Sequence, residues 1–311
     1  MDRYIKFGLS ILLLALTSCA VADIPIPTDT ATTTGTTTNT KSIDITHLPL
    51  GDVYFTSVAP QLGYAYLCST VGANRGFGNA GPWFNADGTT WDYTTKIAVQ
   101  GSVVWSSSFT STLNNMFLVI SANGLPTHST GTYPVARADP AYQYDKNPNA
   151  ILSQNLDWRI PANPQLAASP GCLPMGSIGI LLTGAALFNP ADADIRDGVA
   201  WEVQDACEGH PTGMMGGNIY HYHNVSRCVE QDTAGQHSPL VGYIADGFGI
   251  YGNLGEGGVA LTNASLDECH GHTHIITINS LQTSQYHYHK TLEFPYAVGC
   301  FKGTPVVLRN R

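Results

Sequence analysis

The tetrapeptide Tyr-His-Tyr-His occurs twice in this chain of 311 residues, in "NIYHYHNVSRC" at 218–228 and in "SQYHYHKTLEF" at 284–294. Side chains alternate between the two faces of an extended strand. His221 and His223 therefore share one face, as do His287 and His289, while Tyr220, Tyr222, Tyr286 and Tyr288 point the other way. An H-x-H strand brings two imidazoles close enough to hold one metal ion. A third candidate precedes each strand in a D-x-C-x-G-H stretch: His210 in "DACEGH" (205–210) and His272 in "DECHGH" (267–272). Three neutral imidazoles per set suit zinc or copper. Asp205 and Asp267, five residues before those third histidines, are candidates to orient a ligand imidazole through its other ring nitrogen.

Further residues with ligand chemistry lie nearby in the chain. "HGHTH" (270–274) adds His270 and His274, and "NGLPTHSTGTYP" (123–134) offers His128. Met214 and Met215 carry thioethers that suit Cu(I), although an ordinary loop is the plainer reading there. Asp246 in "YIADGFGIYG" (243–252) is the only carboxylate in an otherwise apolar run, either a buried functional acid or the first residue of an Asp-Gly turn. Two readings without metal compete: a structural Tyr/His hydrogen-bond network and an aromatic ligand-binding face. G-x-S-x-G, the P-loop, HExxH and the Rossmann glycine fingerprint are absent from the sequence. Their absence leaves hydrolysis at a three-His zinc open, since that needs only a free coordination position.

The elements that must position these residues recur in order. "GILLTGAALFN" (179–189) aligns with "GYIADGFGIYG" (242–252), and D-x-C-x-G-H, YHYH and a closing cysteine then follow in each copy. The reading is an internal duplication, unit 1 at 179–241 and unit 2 at 242–303. Runs such as "GSVVWSSSFTS", "MFLVISA" and "HIITIN" are β-branched or aromatic and bounded by turn residues. The expected fold is mainly β with a few short helices, the latter at 189–207 and 263–269, where Asn or Asp can cap. Residues 43–178 are expected to form an N-terminal β part packed on the duplicated part.

Cysteine usage fits export. Setting Cys19 aside leaves Cys68, Cys172, Cys207, Cys228, Cys269 and Cys300, and an even count in an exported chain favours three disulfides. If a cysteine closes each unit, Cys207–Cys228 and Cys269–Cys300 pin the turn to the strand end, leaving Cys68–Cys172.

The N-terminus reads as an export signal over 1–18, with Arg3 and Lys6 before the apolar "FGLSILLLAL" (7–16). "LTSC" (16–19) resembles a bacterial lipobox with Cys19 as the lipidated residue, whereas "AVA" (20–22) suits an ordinary signal peptidase and a soluble product. Residues 19–42, with the Thr-rich "TDTATTTGTTTNTK" (28–41), read as a flexible tether. Removing Asp2, Arg3 and Lys6 with the signal turns 23 acidic and 14 basic residues into 22 and 12, a net charge of about −10. That balance argues against nucleic acid as a partner. The expected location is the cell envelope, through a lipid anchor, with secretion as a soluble protein the alternative.

Across about 118–303 the chain resembles the YHYH-protein family of mostly exported bacterial proteins. "SANGLPTHSTGTYP", "GILLTGAALFNP", "DACEGHPTG", "YHYHN", "HSPLVGYIADGFGIYG", "LDECHGHTH" and "QYHYHKTLEFPYAVGCFKG" carry the resemblance in order. Two positions depart: Thr183 stands where an Asn-Gly pair is usual, and His270 where Asn is more common. The resemblance implies domain extent and export, and assigns no reaction. The leading expectation is an exported, anchored protein binding copper or zinc through duplicated His clusters. A metal-dependent hydrolase or oxidoreductase, and a structural or glycan-binding surface module without metal, are the alternatives.

Overall fold

Alternating and β-branched runs between glycine, proline and asparagine turns do form strands, and the protein is mainly β. The computed structural model describes residues 43–73, 78–213, 217–229, 231–278 and 280–308. The signal at 1–18, Cys19, the tether at 19–42, Met214 and Met215 lie outside the described residues. From Ile43 onward the described residues belong to one unit.

The N-terminal part is built from two-residue ladders: β1 (Leu48–Pro49) on β4 (Thr90–Trp91), and β2 (Phe55–Thr56) on β3 (Ala65–Tyr66). A three-stranded antiparallel sheet follows, β5 (Phe109–Asn114), β6 (Phe117–Ala122) and β7 (Leu156–Pro161). The expected strand at 101–111 is reduced to the start of β5. Val103 makes only an isolated bridge to Thr130. β8 (Leu166–Gly171) pairs with β17 (Phe301–Gly303), so the C-terminal strand returns to the N-terminal part.

The remaining strands form one eight-stranded mixed sheet. They are β9 (Ser177–Leu181), β10 (Ala186–Phe188), β11 (Gly209–Pro211), β12 (Tyr220–Tyr222), β13 (Leu240–Ile244), β14 (Gly249–Tyr251), β15 (Gly271–Ile278) and β16 (Leu281–His289). Their spatial order is β11-β12-β10-β9-β13-β14-β16-β15. Read inward from either edge, matching strands come in the same order: the strand carrying His210 or His272, the YHYH strand, then the two Gly-rich strands. β9 and β13 meet at the centre with Ile180 opposite Tyr243, Gly179 opposite Ile244, and Leu181 opposite Gly242. Glycine is required at this seam. A Cβ on Gly179 would lie 2.6 Å from the Tyr243 carbonyl oxygen, and one on Gly242 2.5 Å from that of Ile180.

The sheet separates two cores. Leu187, Tyr220, Tyr222, Ile250, Tyr286 and Tyr288 face the larger core, shared with Trp83, Trp91 and Leu48. Ile180, Ala186 and Ile219 face the other side, against Ile120, Leu156, Trp158 and Ile160 of the three-stranded sheet. The YHYH tyrosines are thus core residues, and the histidines emerge on the opposite face.

The expected helices are mostly absent. Within 189–207 only α1 (Gly198–Trp201) is helical, with Asp197 Oδ1 accepting from Val199 N at 3.1 Å and Ala200 N at 3.2 Å. Asp192 instead accepts from the backbone of Asp194 and Arg196, both at 2.8 Å, and Ile195 takes a positive φ of 61°. Short acidic side chains that bind local backbone compete with helix propagation, and here they win. At 263–269 there is a single 3-10 turn, Asn263–Ser265, before Leu266 becomes extended.

Three disulfides are present: Cys68–Cys172, Cys207–Cys228 and Cys269–Cys300. The last two tie the D-x-C-x-G-H turn to the chain beyond each YHYH strand. Disulfides belong to oxidising compartments. Among the described residues no helix is long and apolar enough to cross a membrane.

Candidate metal centres

Cross-strand register brings each set of three histidines together. His210 on β11 sits directly opposite His221 on β12, and His272 on β15 directly opposite His287 on β16. The second histidine of each pair, His223 or His289, follows two residues on along the same face. Strand period and hairpin register thus suffice to converge three imidazoles.

In the first cluster the ring nitrogens of His210, His221 and His223 lie within 4.8 Å of one another. His221 Nε2 is 3.2 Å from His223 Nε2. Phe188 stacks on His221 with ring centroids 3.9 Å apart. Glu202, the first residue after α1, completes the set: its Oε2 lies 2.9 Å from His223 Nε2 and 3.2 Å from His210 Nε2. Sequence reasoning missed Glu202, which comes from an irregular segment with no periodic signature. Burial raises its carboxyl, but His210 and His223 outweigh that and hold it well below the usual range. Burial, with His210 and His223 beside it, lowers His221. At His223 burial is outweighed by Glu202, which raises it.

The second cluster contains four histidines, His237, His272, His287 and His289, again with ligand atoms within 4.8 Å. His237 was not singled out from the sequence. It lies in the loop before β13, inside "HSPLVGYIADGFGIYG", where no strand period marks it. Its Nε2 stands 3.2 Å from His287 Nε2. Burial, with neighbouring histidines adding to it, holds His287 down to about 3 and His289 down to about 2. His237 and His272 are lowered too, chiefly by burial.

The outer ring nitrogens are held by backbone. His221 Nδ1 meets Ile219 O at 3.2 Å and His287 Nδ1 meets Gln285 O at 2.9 Å. His223 Nδ1 meets Asn189 O at 2.6 Å and His289 Nδ1 meets Gly252 O at 2.7 Å. His237 Nδ1 meets Ser238 O at 2.7 Å. A carbonyl oxygen only accepts, so each Nδ1 is the donor, and a ring in its neutral form turns an Nε2 lone pair inward. His272 Nε2 and His289 Nε2 are buried with no hydrogen-bond partner. A buried polar atom left so costs about 1–3 kcal/mol. Two nitrogens bound about 2.0–2.1 Å from one tetrahedral ion are about 3.3 Å apart, close to the spacing seen in both clusters.

Asp205 and Asp267 do not orient these rings. Asp205 accepts from Tyr220 Oη at 2.9 Å, from Cys207 N at 2.9 Å and from Gly131 N at 3.0 Å. Asp267 accepts from Tyr286 Oη and Cys269 N, both at 2.9 Å, and from Lys302 Nζ at 2.8 Å. Each carboxylate folds back on its own turn and emerges on the tyrosine face. The role expected of them falls to backbone carbonyls instead.

The additional candidates also lie elsewhere. His128 Nε2 bonds Tyr222 Oη at 2.6 Å on the opposite face. It also approaches Cys207 and Cys228, whose sulfurs are tied in a disulfide and offer no thiolate. His270 occupies a turn position with φ 72° and bonds Thr291 Oγ1 at 3.0 Å. Glu208, at the matching place in the other turn, has φ 65°. Asp246 is buried, which raises it, and accepts from Tyr288 Oη at 2.6 Å and Gly303 N at 2.9 Å. His274 lies outside the second cluster, its ring centroid 6.0 Å from that of His272 and its Nε2 2.8 Å from Glu256 Oε2.

The family model described as YHYH protein matches residues 157–260, bearing out the resemblance carried by the motifs. That stretch runs from β7 to just beyond β14 and holds the whole first cluster together with His237. No curated protein matches the chain, and no solved structure does.

Proposed function

We propose that this YHYH-family protein is an exported metal-binding protein that takes up copper or zinc at two histidine clusters. The observation that carries this is the convergence of imidazole Nε2 atoms, fixed by carbonyls on Nδ1, with pairs 3.2 Å apart in both clusters. Imidazole-rich sets of this kind suit zinc and copper. The partner is then a metal ion rather than a nucleic acid. Anchoring through a lipidated Cys19 on the 19–42 tether, with release as a soluble protein as the other outcome of export, belongs to the same reading.

We further infer that units 179–241 and 242–303 are copies of one ancestral unit. The order of strands from each edge of the sheet and the crosswise register at Ile180–Tyr243 support this. So do the paired carbonyl contacts of His223 with Asn189 and His289 with Gly252. A glycan-binding aromatic face finds no support in the tyrosines, since Tyr220, Tyr222 and Tyr288 are 0% exposed and Tyr286 is 4% exposed.

The test is elemental analysis of protein exported without a histidine tag, beside a variant carrying His221→Ala, His223→Ala, His287→Ala and His289→Ala. Near-stoichiometric copper or zinc in the parent, lost in the variant, is the expected result. Metal-free protein in both cases, even after reconstitution, overturns the proposal.

A further inference from the structure

The two clusters differ in what surrounds them, and the difference is chemical. In the first, His210, His221 and His223 are 3–4% exposed. Its fourth donor, Glu202, sits on a pinned segment. The half-buried Lys96 ammonium donates to the carbonyls of Val199 and Glu202 and to Gln204 Oε1, and Val203 N donates to Asp145 Oδ2 at 3.2 Å. These bonds fix the backbone on both sides of Glu202, its carboxylate is held by His210 and His223, and that carboxylate offsets the charge of a bound cation. The buried Asp145 and Asp192 add negative charge nearby.

The second cluster has imidazoles only. His287 and His289 are buried, but His237 and His272 are half-buried, and residues 231–236 leading to His237 are all exposed. No carboxylate compensates a cation among these four donors. Just outside stands His274, on the same face of β15 as His272, paired with Glu256, whose side chain is 76% exposed. A cation moving outward thus meets an imidazole and then a carboxylate before bulk water.

Resting on the metal-binding reading, we propose that the clusters divide retention from exchange. The Glu202/His210/His221/His223 site keeps its ion. The His237/His272/His287/His289 site exchanges a divalent first-row transition ion with solution, releasing His237 first and passing the ion over His274.

The test uses the full chain loaded with Zn²⁺, its content measured first, then mixed with excess chromogenic chelator. Two release phases of one ion each are expected. The fast phase disappears in His287→Ala and the slow phase in His221→Ala. His237→Ala, which removes one of the four donors, speeds the fast phase by at least about tenfold, the low end of the affinity loss when only a ligand's supporting partner is removed. His274→Ala slows it, and both leave the slow phase alone. A single phase for both ions, or a fast phase lost in His221→Ala and kept in His287→Ala, overturns the division. An unaltered fast phase in His274→Ala overturns the outward route. A chain that takes up no zinc at loading fails the metal-binding reading itself, and that result precedes any rate.

Discussion

His237 Nε2 stands 3.2 Å from His287 Nε2, and in the neutral rings neither nitrogen has a proton for the other, because both Nδ1 atoms face backbone carbonyls. Two facing lone pairs are relieved by a shared cation. Zinc should therefore stabilise the folded chain by mass action, about 2.7 kcal/mol at a hundredfold excess over its dissociation constant. Thermal melts with zinc and then with chelator check this, and His287→Ala should lose most of that cluster's share. Superimposable melts under both conditions count against occupancy of either cluster.

The tyrosines of the two YHYH strands meet different partners. Tyr288 Oη donates to the buried Asp246 at 2.6 Å, whereas Tyr222 Oη lies 3.1 Å from the neutral Thr183 and also meets His128. Hydrogen bonds to charged groups contribute about 1.5–3 kcal/mol against about 0.5–1.5 for neutral pairs. Tyr288→Phe should therefore cost more stability than Tyr222→Phe in urea denaturation. The reverse order would show that Asp246 does not depend on this hydroxyl.

Much of this site is legible in the sequence, for physical reasons. Strand period sets His221 with His223 and His287 with His289, and the short loop-and-return geometry brings His210 and His272 opposite them. Glu202 and His237 escape such reading, because irregular segments carry no period and their reach depends on tertiary packing. Asp205 and Asp267 turn to the tyrosines instead, because spacing does not say to which face a turn side chain folds. The acid-rich stretch at 189–207 looks helical by composition, yet Asp192 and Asp197 spend their oxygens on nearby backbone N–H groups.

His270 should prove dispensable for metal. Its φ of 72° lies in the left-handed region, which Asn adopts more readily than most residues. Its ring bonds Thr291 rather than the cluster. His270→Asn is expected to keep the full metal content, with stability within about 1–3 kcal/mol of the parent, the range for a lost buried partner. Measured metal falling by one equivalent would place His270 among the ligands after all.

Asp197 gives a pH dependence whose sign can be worked out. Burial raises its carboxyl from 3.8 to about 6, although Tyr296 Oη, Gly51 N and Ala200 N all donate to it. Between those values the folded chain holds more of this proton than the unfolded chain does. Stability therefore falls as pH rises from about 4 to about 6, by roughly 3 kcal/mol for this group alone. Asp197→Asn removes the titration and keeps one carbonyl oxygen to cap α1. Denaturation of chelator-treated protein at pH 4 and pH 7 should show parent stability dropping relative to Asp197→Asn as pH rises. Parallel behaviour of the two proteins would mean that Asp197 is ionised throughout this range, its four hydrogen bonds outweighing burial.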